Sequence, residues 1–304
     1  MDLGTNSTRL FIAEVAADGT LTEILRESTV TRLGDRVDAT GRLADDAMLR
    51  VFETLDRYRA QMDEHGVHAS VALLTSAARD AENGPAFTAE IAARYRIDAR
   101  TIDGDTEASL TFAGATSERP DDGTEVVVVD IGGGSTEFVV GRDGVVDFHV
   151  STQAGVVRQT ERHLHDDPPD HEGLVALAGE VAAIIAAAIP QHLRDRVNAG
   201  IAVAGTATSC AAIELALDPY DPAKVHGHIL ELGTLELELA RLAQMDNDAR
   251  REVVGLHPDR APTIVAGVVL MIEVMRAFGL ERIEASDHDI LRGAALALAA
   301  RDSG

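Results

Sequence analysis

Apolar positions along the chain follow two patterns, the helical period of amphipathic helices and the continuous short run of buried strands. Apolar residues recur near the helical period over 44–65, and the run VVVVD at 126–130 is typical of a strand covered on both faces. Further strands are predicted at 67–74, 97–101 and the start of 201–209, and further helices at 83–95, 107–115, 174–189, 229–243, 262–278 and 287–300. Strands and helices therefore alternate, which predicts an α/β protein.

A sequence repeat relates position 2 to position 130, an offset of 128 residues. DLGTNSTRLFIA at 2–13 and DIGGGSTEFVVG at 130–141 share an Asp, an aliphatic residue, a Gly, two small residues, a Ser-Thr pair, one charged residue and then β-formers. Each continues through a short turn, AADG at 16–19 or GRDG at 141–144, into another β-rich run, which is a hairpin signal. We therefore predict a duplication that gives two α/β domains facing a central cleft.

Each repeat opens with a tight turn that is rich in Gly, Ser and Thr. Such a turn exposes backbone N–H groups to a phosphate, and its hydroxyls add further donors; ordinary hairpin turns are the alternative. Asp130 opens the second turn beside the expected phosphate, where a carboxylate requires an intervening cation, so we predict a Mg²⁺ ligand there. The predicted phosphate-binding residues, including those of the later turn AGTATS, are Gly4, Thr5, Asn6, Ser7, Gly132, Gly133, Gly134, Ser135, Thr136, Gly205 and Thr206.

Composition and charge argue against some classes of binding partner, namely nucleic acids and membranes. The 304 residues carry 27 basic and 51 acidic side chains, a formal net charge of −24, which argues against nucleic acid as a ligand. Cys210 is the single cysteine and cannot form an internal disulfide. The most apolar stretch, 174–189, is short for a membrane span and contains Glu180. We therefore expect a cytoplasmic protein that binds neither nucleic acid nor membrane, and a homodimer is left open.

Six segments carry a resemblance to a known family: DLGTNSTRL (2–10), LTSAARDAEN (74–83), IDGDTEA (102–108), DIGGGSTE (130–137), AGTATS (204–209) and SDHDILRGAAL (286–296). They resemble the exopolyphosphatase/guanosine pentaphosphate phosphohydrolase family, the Ppx/GppA phosphatases, in its short actinobacterial form. The resemblance implies two duplicated actin-like (ribonuclease H-like) α/β domains, 1–116 and 117–304, with a C-terminal helix at about 290–302 that packs back on the first. Family members usually have an apolar strand before the first Asp-x-Gly, so this chain is expected to be truncated or to start late, which leaves the placement of Asp2 open.

The resemblance also assigns roles to single residues. Glu107 occupies the second acidic position of the family motif G-x-E-E-A, which orients and deprotonates the attacking water, whereas Thr106 replaces the first acid. Glu137 is a second candidate for contact with water or metal. Ser76 and Arg79 follow a predicted strand, and the Arg79 guanidinium is suited to clamp two phosphate oxygens.

The expected activity is that of an exopolyphosphatase: Mg²⁺-dependent hydrolysis of the terminal phosphoanhydride of inorganic polyphosphate, with release of orthophosphate. Short chains are expected to be preferred, because a long polyanion meets a protein of net charge −24. The alternatives are 5′ γ-phosphate removal from guanosine pentaphosphate, a weakly catalytic sensor of guanosine tetraphosphate in the stringent response, and an ATP-dependent kinase of the same superfamily. His226 and His228 have no companion Cys or carboxylate pattern, so no zinc site is expected there.

Overall fold

The computed structural model describes residues 1–16 and 20–302, apart from the side chains of Asp38 and Asp302. The chain forms two compact units, the first made of residues 1–114 with the chain from Ile290 onward, and the second of Ala115–Asp289. The C-terminal helix, Ile290–Asp302, is therefore part of the first unit. The turn predicted at 16–19 lies mostly outside the described residues.

The first unit is built on a five-stranded sheet in the order β3-β2-β1-β4-β5. Its strands are β1 (Asp2–Leu3), β2 (Ser7–Val15), β3 (Leu21–Val30), β4 (Val71–Leu74) and β5 (Asp98–Thr101). Besides the C-terminal helix, its helices are α1 (Val37–Thr40), α2 (Asp45–Glu64), α3 (Ser76–Asp80), α4 (Gly84–Tyr95) and α5 (Gly104–Thr116), whose last residues enter the second unit. The apolar face of α2 is buried through Val51, Leu55 and Tyr58, as its helical period predicts.

Strand β1 has two residues but lies at the centre of this sheet. It pairs antiparallel with β2, where Asp2 is opposite Arg9, and parallel with β4, where Leu3 is opposite Leu74. The Leu73 N–H donates to the Met1 carbonyl at 3.0 Å, which extends the pairing by one residue. The first strand is thus short, and its two neighbours fix the position of Asp2.

The second unit is built on a six-stranded sheet in the order β10-β11-β9-β6-β7-β8. Its strands are β6 (Val126–Ile131), β7 (Thr136–Arg142), β8 (Val145–Thr152), β9 (Ala199–Val203), β10 (His228–Glu231) and β11 (Arg282–Ala285). Its helices are α6 (Val156–His163), α7 (His171–Ala188), α8 (Gln191–Arg194), α9 (Ala204–Glu214), α10 (Pro222–Val225), α11 (Leu232–Leu242), α12 (Asn247–Arg251) and α13 (Ile264–Phe278), with a short 3₁₀ turn at Pro258–Arg260. Helix α13 is buried along most of its length and forms the centre of the core.

The strand orders and the two turns bear out the duplication. Strands β3-β2-β1-β4-β5 of the first sheet correspond in order to β8-β7-β6-β9-β11 of the second, to which β10 is added at the edge. Both turns close in the same way: the Gly4 N–H donates to the Ser7 carbonyl, and the Gly132 N–H donates to the Ser135 carbonyl, each at 3.0 Å. Both units therefore share one βββ-α-β-α-β pattern, and the predicted fold class of two α/β domains is confirmed.

Several short elements differ from the sequence prediction. The helix predicted at 229–243 begins as strand β10, and the helix predicted at 287–300 begins at Ile290, after the unpredicted strand β11. These four-residue strands are too short to show a period of their own.

Helix α7 begins three residues before the predicted stretch and has 18 residues. By length and composition alone, it is the one described helix that could cross a membrane. A single such helix is weak evidence, because helices of protein cores meet the same criteria. In the second unit, Leu177, Val181 and Ile185 of this helix are buried, and Glu180 contacts Arg162 and His163 of α6.

Candidate active site

In the first unit, the predicted site residues follow the carboxyl ends of neighbouring parallel strands, where α/β sheets bind ligands. Thr5 follows β1, Ser76 follows β4, and Glu107 lies on α5 after β5. The Thr5 and Ser76 hydroxyls form a hydrogen bond of 2.8 Å, which links the turn after β1 to helix α3. Chain segments that are far apart in sequence thus meet at one edge of the sheet.

The predicted base and the predicted clamp form a direct ion pair. Arg79 Nη1 donates to Glu107 Oε2 and to the Ile102 carbonyl, each at 3.0 Å. The two side chains are 31% and 22% exposed, so both remain accessible to a ligand. Glu107 lies in the first turn of α5, where Asp103 Oδ1 accepts the Thr106 N–H at 2.8 Å. Hydrogen bonds from Thr106 hold the pKa of Asp103 below its ordinary value, so this helix start keeps its ionised cap.

A second ion pair of the first unit joins Asp2 to Arg9. Arg9 donates to Asp2 Oδ2 from Nε at 2.8 Å and from Nη2 at 2.6 Å. Asp2 is buried, and its Oδ1 has no hydrogen-bond partner among the described residues. A buried carboxylate oxygen in this condition fits a cation or a bound water, because an unsatisfied buried acceptor is costly.

The glycine turn of the second unit directs its carbonyl groups toward helix α6. The N–H groups of Val156 and Val157 donate to the carbonyls of Gly132 and Gly133, both at 2.9 Å. The N–H groups of Gly133 and Gly134 donate to no acceptor in the part of the chain described. The turn therefore has its acceptors occupied and donors available, which is the arrangement that binds an anion.

Two acidic residues of the second unit lie opposite each other on β6 and β7. Asp130 and Glu137 are register partners, so their side chains share one face of the strand pair. Glu137 Oε1 accepts hydrogen bonds from the hydroxyls of Ser135 at 2.6 Å and Ser151 at 2.8 Å. Opposed carboxylates destabilise a strand pair unless a cation intervenes, and Mg²⁺ prefers carboxylate oxygens. These residues fit a divalent cation.

Residues 11–298 match the Ppx/GppA phosphatase family. The chain belongs to that family. It is 37% identical over 311 residues to Exopolyphosphatase 2 of Mycobacterium tuberculosis, with 98% of this chain and 97% of that protein covered. Among solved structures, an exopolyphosphatase-like protein superposes with a TM-score of 0.88 at 34% identity, covering 100% of this chain and 97% of that chain. The Aquifex aeolicus family member superposes with a TM-score of 0.87 at 29% identity, with the same coverage.

Membership of the Ppx/GppA phosphatases confirms two predictions from the sequence. The enzyme class, a phosphatase, is that of the family, and the two α/β units have the actin-like fold of its solved members. The roles of single residues stay predictions, supported by the geometry described for each unit.

Two predicted phosphate ligands of this phosphatase have their hydroxyls turned inward. Thr136 is buried and donates to the Ala154 carbonyl at 2.6 Å, while Thr206 is buried and donates to the Ile131 carbonyl at 3.3 Å. These hydrogen bonds attach the glycine turns to the backbone of neighbouring segments. The geometry does not support direct phosphate binding by either hydroxyl.

Two basic residues that no sequence pattern indicated come to the turns from distant segments. Arg158 Nε donates to the Gly134 carbonyl at 3.1 Å, and the Arg260 guanidinium lies so close to Gly205 that a Cβ there would overlap it. Neither arginine belongs to a motif that includes a glycine turn, and folding alone brings them there. The repeat did indicate that Asp2 pairs with Arg9, because these residues occupy the same repeat positions as Asp130 and Glu137.

Proposed function

We propose that this Ppx/GppA phosphatase is an exopolyphosphatase, which hydrolyses the terminal phosphoanhydride of inorganic polyphosphate and releases orthophosphate. The observation that carries the proposal is the 3.0 Å contact between Arg79 and Glu107, a general base beside a fixed cation at a sheet edge. The name of the relative from Mycobacterium tuberculosis supports the same activity.

In the proposed reaction, the Glu107 carboxylate orients a water molecule and accepts its proton. The water oxygen bonds to the terminal phosphorus, the bond from that phosphorus to the bridging oxygen breaks, and the shortened chain leaves with the electron pair. Phosphoryl transfer of this kind depends on positioning and charge neutralisation. Arg79 supplies both, because its guanidinium can bind two phosphate oxygens at once.

The glycine turn at 132–135 is proposed to bind phosphate oxygens through the backbone N–H groups of Gly133 and Gly134. These groups have no acceptor in the described chain, while the carbonyls beside them are held by α6. The contacts are independent of any nucleobase, so this part of the proposal fits inorganic polyphosphate and the phosphates of a nucleotide equally.

Mg²⁺ is the proposed cofactor, with Asp130 and Glu137 as its protein ligands. Their opposed positions on β6 and β7 support this assignment, since both offer oxygen atoms on one face. When bound, the ion neutralises charge on the phosphates. Treatment with a chelator is expected to abolish phosphate release, and added Mg²⁺ is expected to restore it.

The test is a measurement of orthophosphate release with Mg²⁺ and without any acceptor. The substrates are polyphosphates of defined length and guanosine pentaphosphate, and binding of guanosine tetraphosphate is measured separately. We expect the highest kcat/KM on short polyphosphates. A higher value on the pentaphosphate would assign the enzyme to nucleotide hydrolysis, tight tetraphosphate binding without turnover would indicate a sensor, and turnover that requires a sugar acceptor would indicate a kinase.

A further inference from the structure

Three side chains of the second unit form a cluster that has no role in the proposed hydrolysis. Glu118, His226 and His288 each offer one nitrogen or oxygen ligand atom, and these atoms all lie within 4.8 Å of one another. His226 Nε2 is 3.6 Å from Glu118 Oε2, and the two imidazole rings lie 3.6 Å apart between centroids. The cluster lies at the carboxyl end of β11, which is two strands away from β6 and its glycine turn.

A buried serine holds the two histidines in place. Ser286 Oγ accepts the His288 backbone N–H at 3.0 Å, lies 3.3 Å from the His288 carbonyl, and lies 3.1 Å from His226 Nδ1. When the hydroxyl proton is directed to the carbonyl, the Nδ1–H of His226 donates to Ser286. The lone pair on His226 Nε2 then faces the Glu118 carboxylate, which is repulsive unless a proton or a metal ion lies on that nitrogen.

We propose that Glu118, His226 and His288 bind Zn²⁺. Two imidazoles and one carboxylate are a ligand set typical of this ion, which leaves its fourth position to water. The bond from His226 Nδ1–H to Ser286 is of the kind that fixes the tautomer of a metal-bound histidine. Zinc bonds of about 2.0–2.2 Å place ligand atoms about 3.3 Å apart, so the cluster has to contract slightly. The Glu118 side chain is 57% exposed, so its carboxylate has room for that movement.

The positions of the ligands in the chain indicate what such an ion does. Glu118 lies shortly after the chain enters the second unit, and His288 lies just before the chain leaves it at Asp289. His226 lies between α10 and β10, far from both in sequence. The ion therefore cross-links three separate segments of one unit and anchors both connecting segments to it. This cross-link is independent of the hydrolysis proposed above.

The test is metal binding by the full chain after removal of metals with a chelator and dialysis. Zn²⁺ is titrated by calorimetry, and Co²⁺ is used as a probe whose visible absorption reports nitrogen ligation. We expect one ion per chain, at least about tenfold weaker binding in Glu118→Gln and His226→Gln, and about 10–100-fold weaker binding in Ser286→Ala. The matched control is His163→Gln, which disrupts a His–Glu pair with Glu180 at 2.8 Å outside this cluster and should keep wild-type affinity.

Thermal unfolding gives a second readout that does not depend on phosphatase activity. Because Zn²⁺ binds the folded state, saturating ion should raise the Tm of the wild type and of His163→Gln, and should raise it much less in the cluster variants. Circular dichroism shows whether each variant is folded. Absence of Zn²⁺ binding by the wild type would mean that His226 and Glu118 form an ordinary ion pair. Equal affinity in the wild type, Glu118→Gln and His226→Gln would place the ion elsewhere; either result overturns the proposal.

Discussion

The contact between Arg79 and Glu107 determines what each of these residues can do. Arg79 is held by the Ile102 carbonyl as well as by Glu107, so its guanidinium is positioned before any ligand arrives. Under the proposed function, a substrate phosphate would compete with the Glu107 carboxylate for Arg79 through charge-assisted hydrogen bonds. In the proposed reaction, the carboxylate becomes available to the attacking water as the phosphate binds the guanidinium.

Replacing Glu107 by Gln should reduce kcat by about 100-fold or more, while KM stays similar or falls because a neutral amide competes less for Arg79. The amide keeps the shape of the side chain but cannot accept the proton of water. The measurement is steady-state orthophosphate release with both parameters resolved. The matched control is Glu82→Gln, which disrupts an exposed ion pair with Arg42 and should leave both parameters unchanged. Near-normal kcat in the Glu107 variant would remove this residue from the role of base.

Cys210 should react with thiol reagents after unfolding and not in the folded protein. The residue is buried on α9, and burial raises the pKa of its thiol to about 12. The folded state therefore favours the neutral thiol. The contribution of Cys210 to the free energy of unfolding is fully present below the ordinary thiol pKa of about 8.5, and it declines as the pH rises toward the pKa of the folded state. The check is labelling by a disulfide reagent at pH 8 with and without urea. Rapid labelling without urea would show that the α9 packing is wrong.

Single residues differ in how far the sequence could predict them. Glu107 and Arg79 each lie in a family motif, so the sequence indicated both before the structure showed their contact. Arg158 and Arg260 reach the glycine turns only through the fold, and no local pattern marks them. The trio of Glu118, His226 and His288 was missed for the same reason, because its members lie on three separate segments.

At the scale of elements, the glycine turn depends on α6 for its shape. The N-terminal N–H groups of α6 bind the turn's carbonyls, and Gly155, just before that helix, lies against Gly133 with no room for a Cβ. A Cβ at Gly134 would meet no atom within 4 Å. A substitution at Gly155 therefore tests the folding of the turn, whereas a substitution at Gly134 tests the phosphate binding proposed for it.

Gly134→Ala should raise KM for polyphosphate severalfold with little change in the free energy of unfolding. The added methyl group lies beside the donor N–H groups and obstructs an approaching phosphate, while the protein has space for it. Gly155→Ala is the comparison, and it should destabilise the second unit by about 1–3 kcal/mol because its Cβ overlaps the Gly133 backbone. Urea unfolding and steady-state kinetics measure both variants. An unchanged KM in Gly134→Ala would mean that the turn is an ordinary hairpin turn.

Elements with a strong pattern could be predicted, and short ones could not. The helix at Asp45–Glu64 follows from its apolar period, and the strand at Val126–Ile131 follows from its continuous apolar run. Strands β10 and β11 could not be predicted, because four residues show no period and their pairing depends on residues far away in the chain. The repeat was the most informative signal, since it fixed the order of three strands and one turn in each unit.

At the scale of the whole molecule, the net charge is the basis for the proposed preference for short polyphosphates. The formal charge is −24, and several arginines, among them Arg94 and Arg196, are paired with acidic residues. We therefore expect a long polyphosphate to be repelled by this surface beyond the few phosphates that the proposed site would neutralise. Salt screens such repulsion over about 8 Å at physiological ionic strength.

Catalytic efficiency should fall, or stay constant, as polyphosphate chains lengthen. Added salt should reduce the disadvantage of long chains, because it weakens repulsion between like charges. The measurement is kcat/KM for chains of defined length at low and moderate salt, with each concentration expressed per chain end. Efficiency that rises steadily with length and decreases with salt would show that a basic path guides the polymer.

The central claim, that Glu107 drives removal of terminal phosphates, is tested most directly by product analysis during partial digestion. A polyphosphate of one defined length is incubated with Mg²⁺ and either the wild type or Glu107→Gln, and orthophosphate and residual chain lengths are measured together. We expect the wild type to release orthophosphate in proportion to chains shortened from the end, and the variant to release at least about 100-fold less. Mid-length fragments without matching orthophosphate, or equal release by the variant, would contradict the proposed reaction.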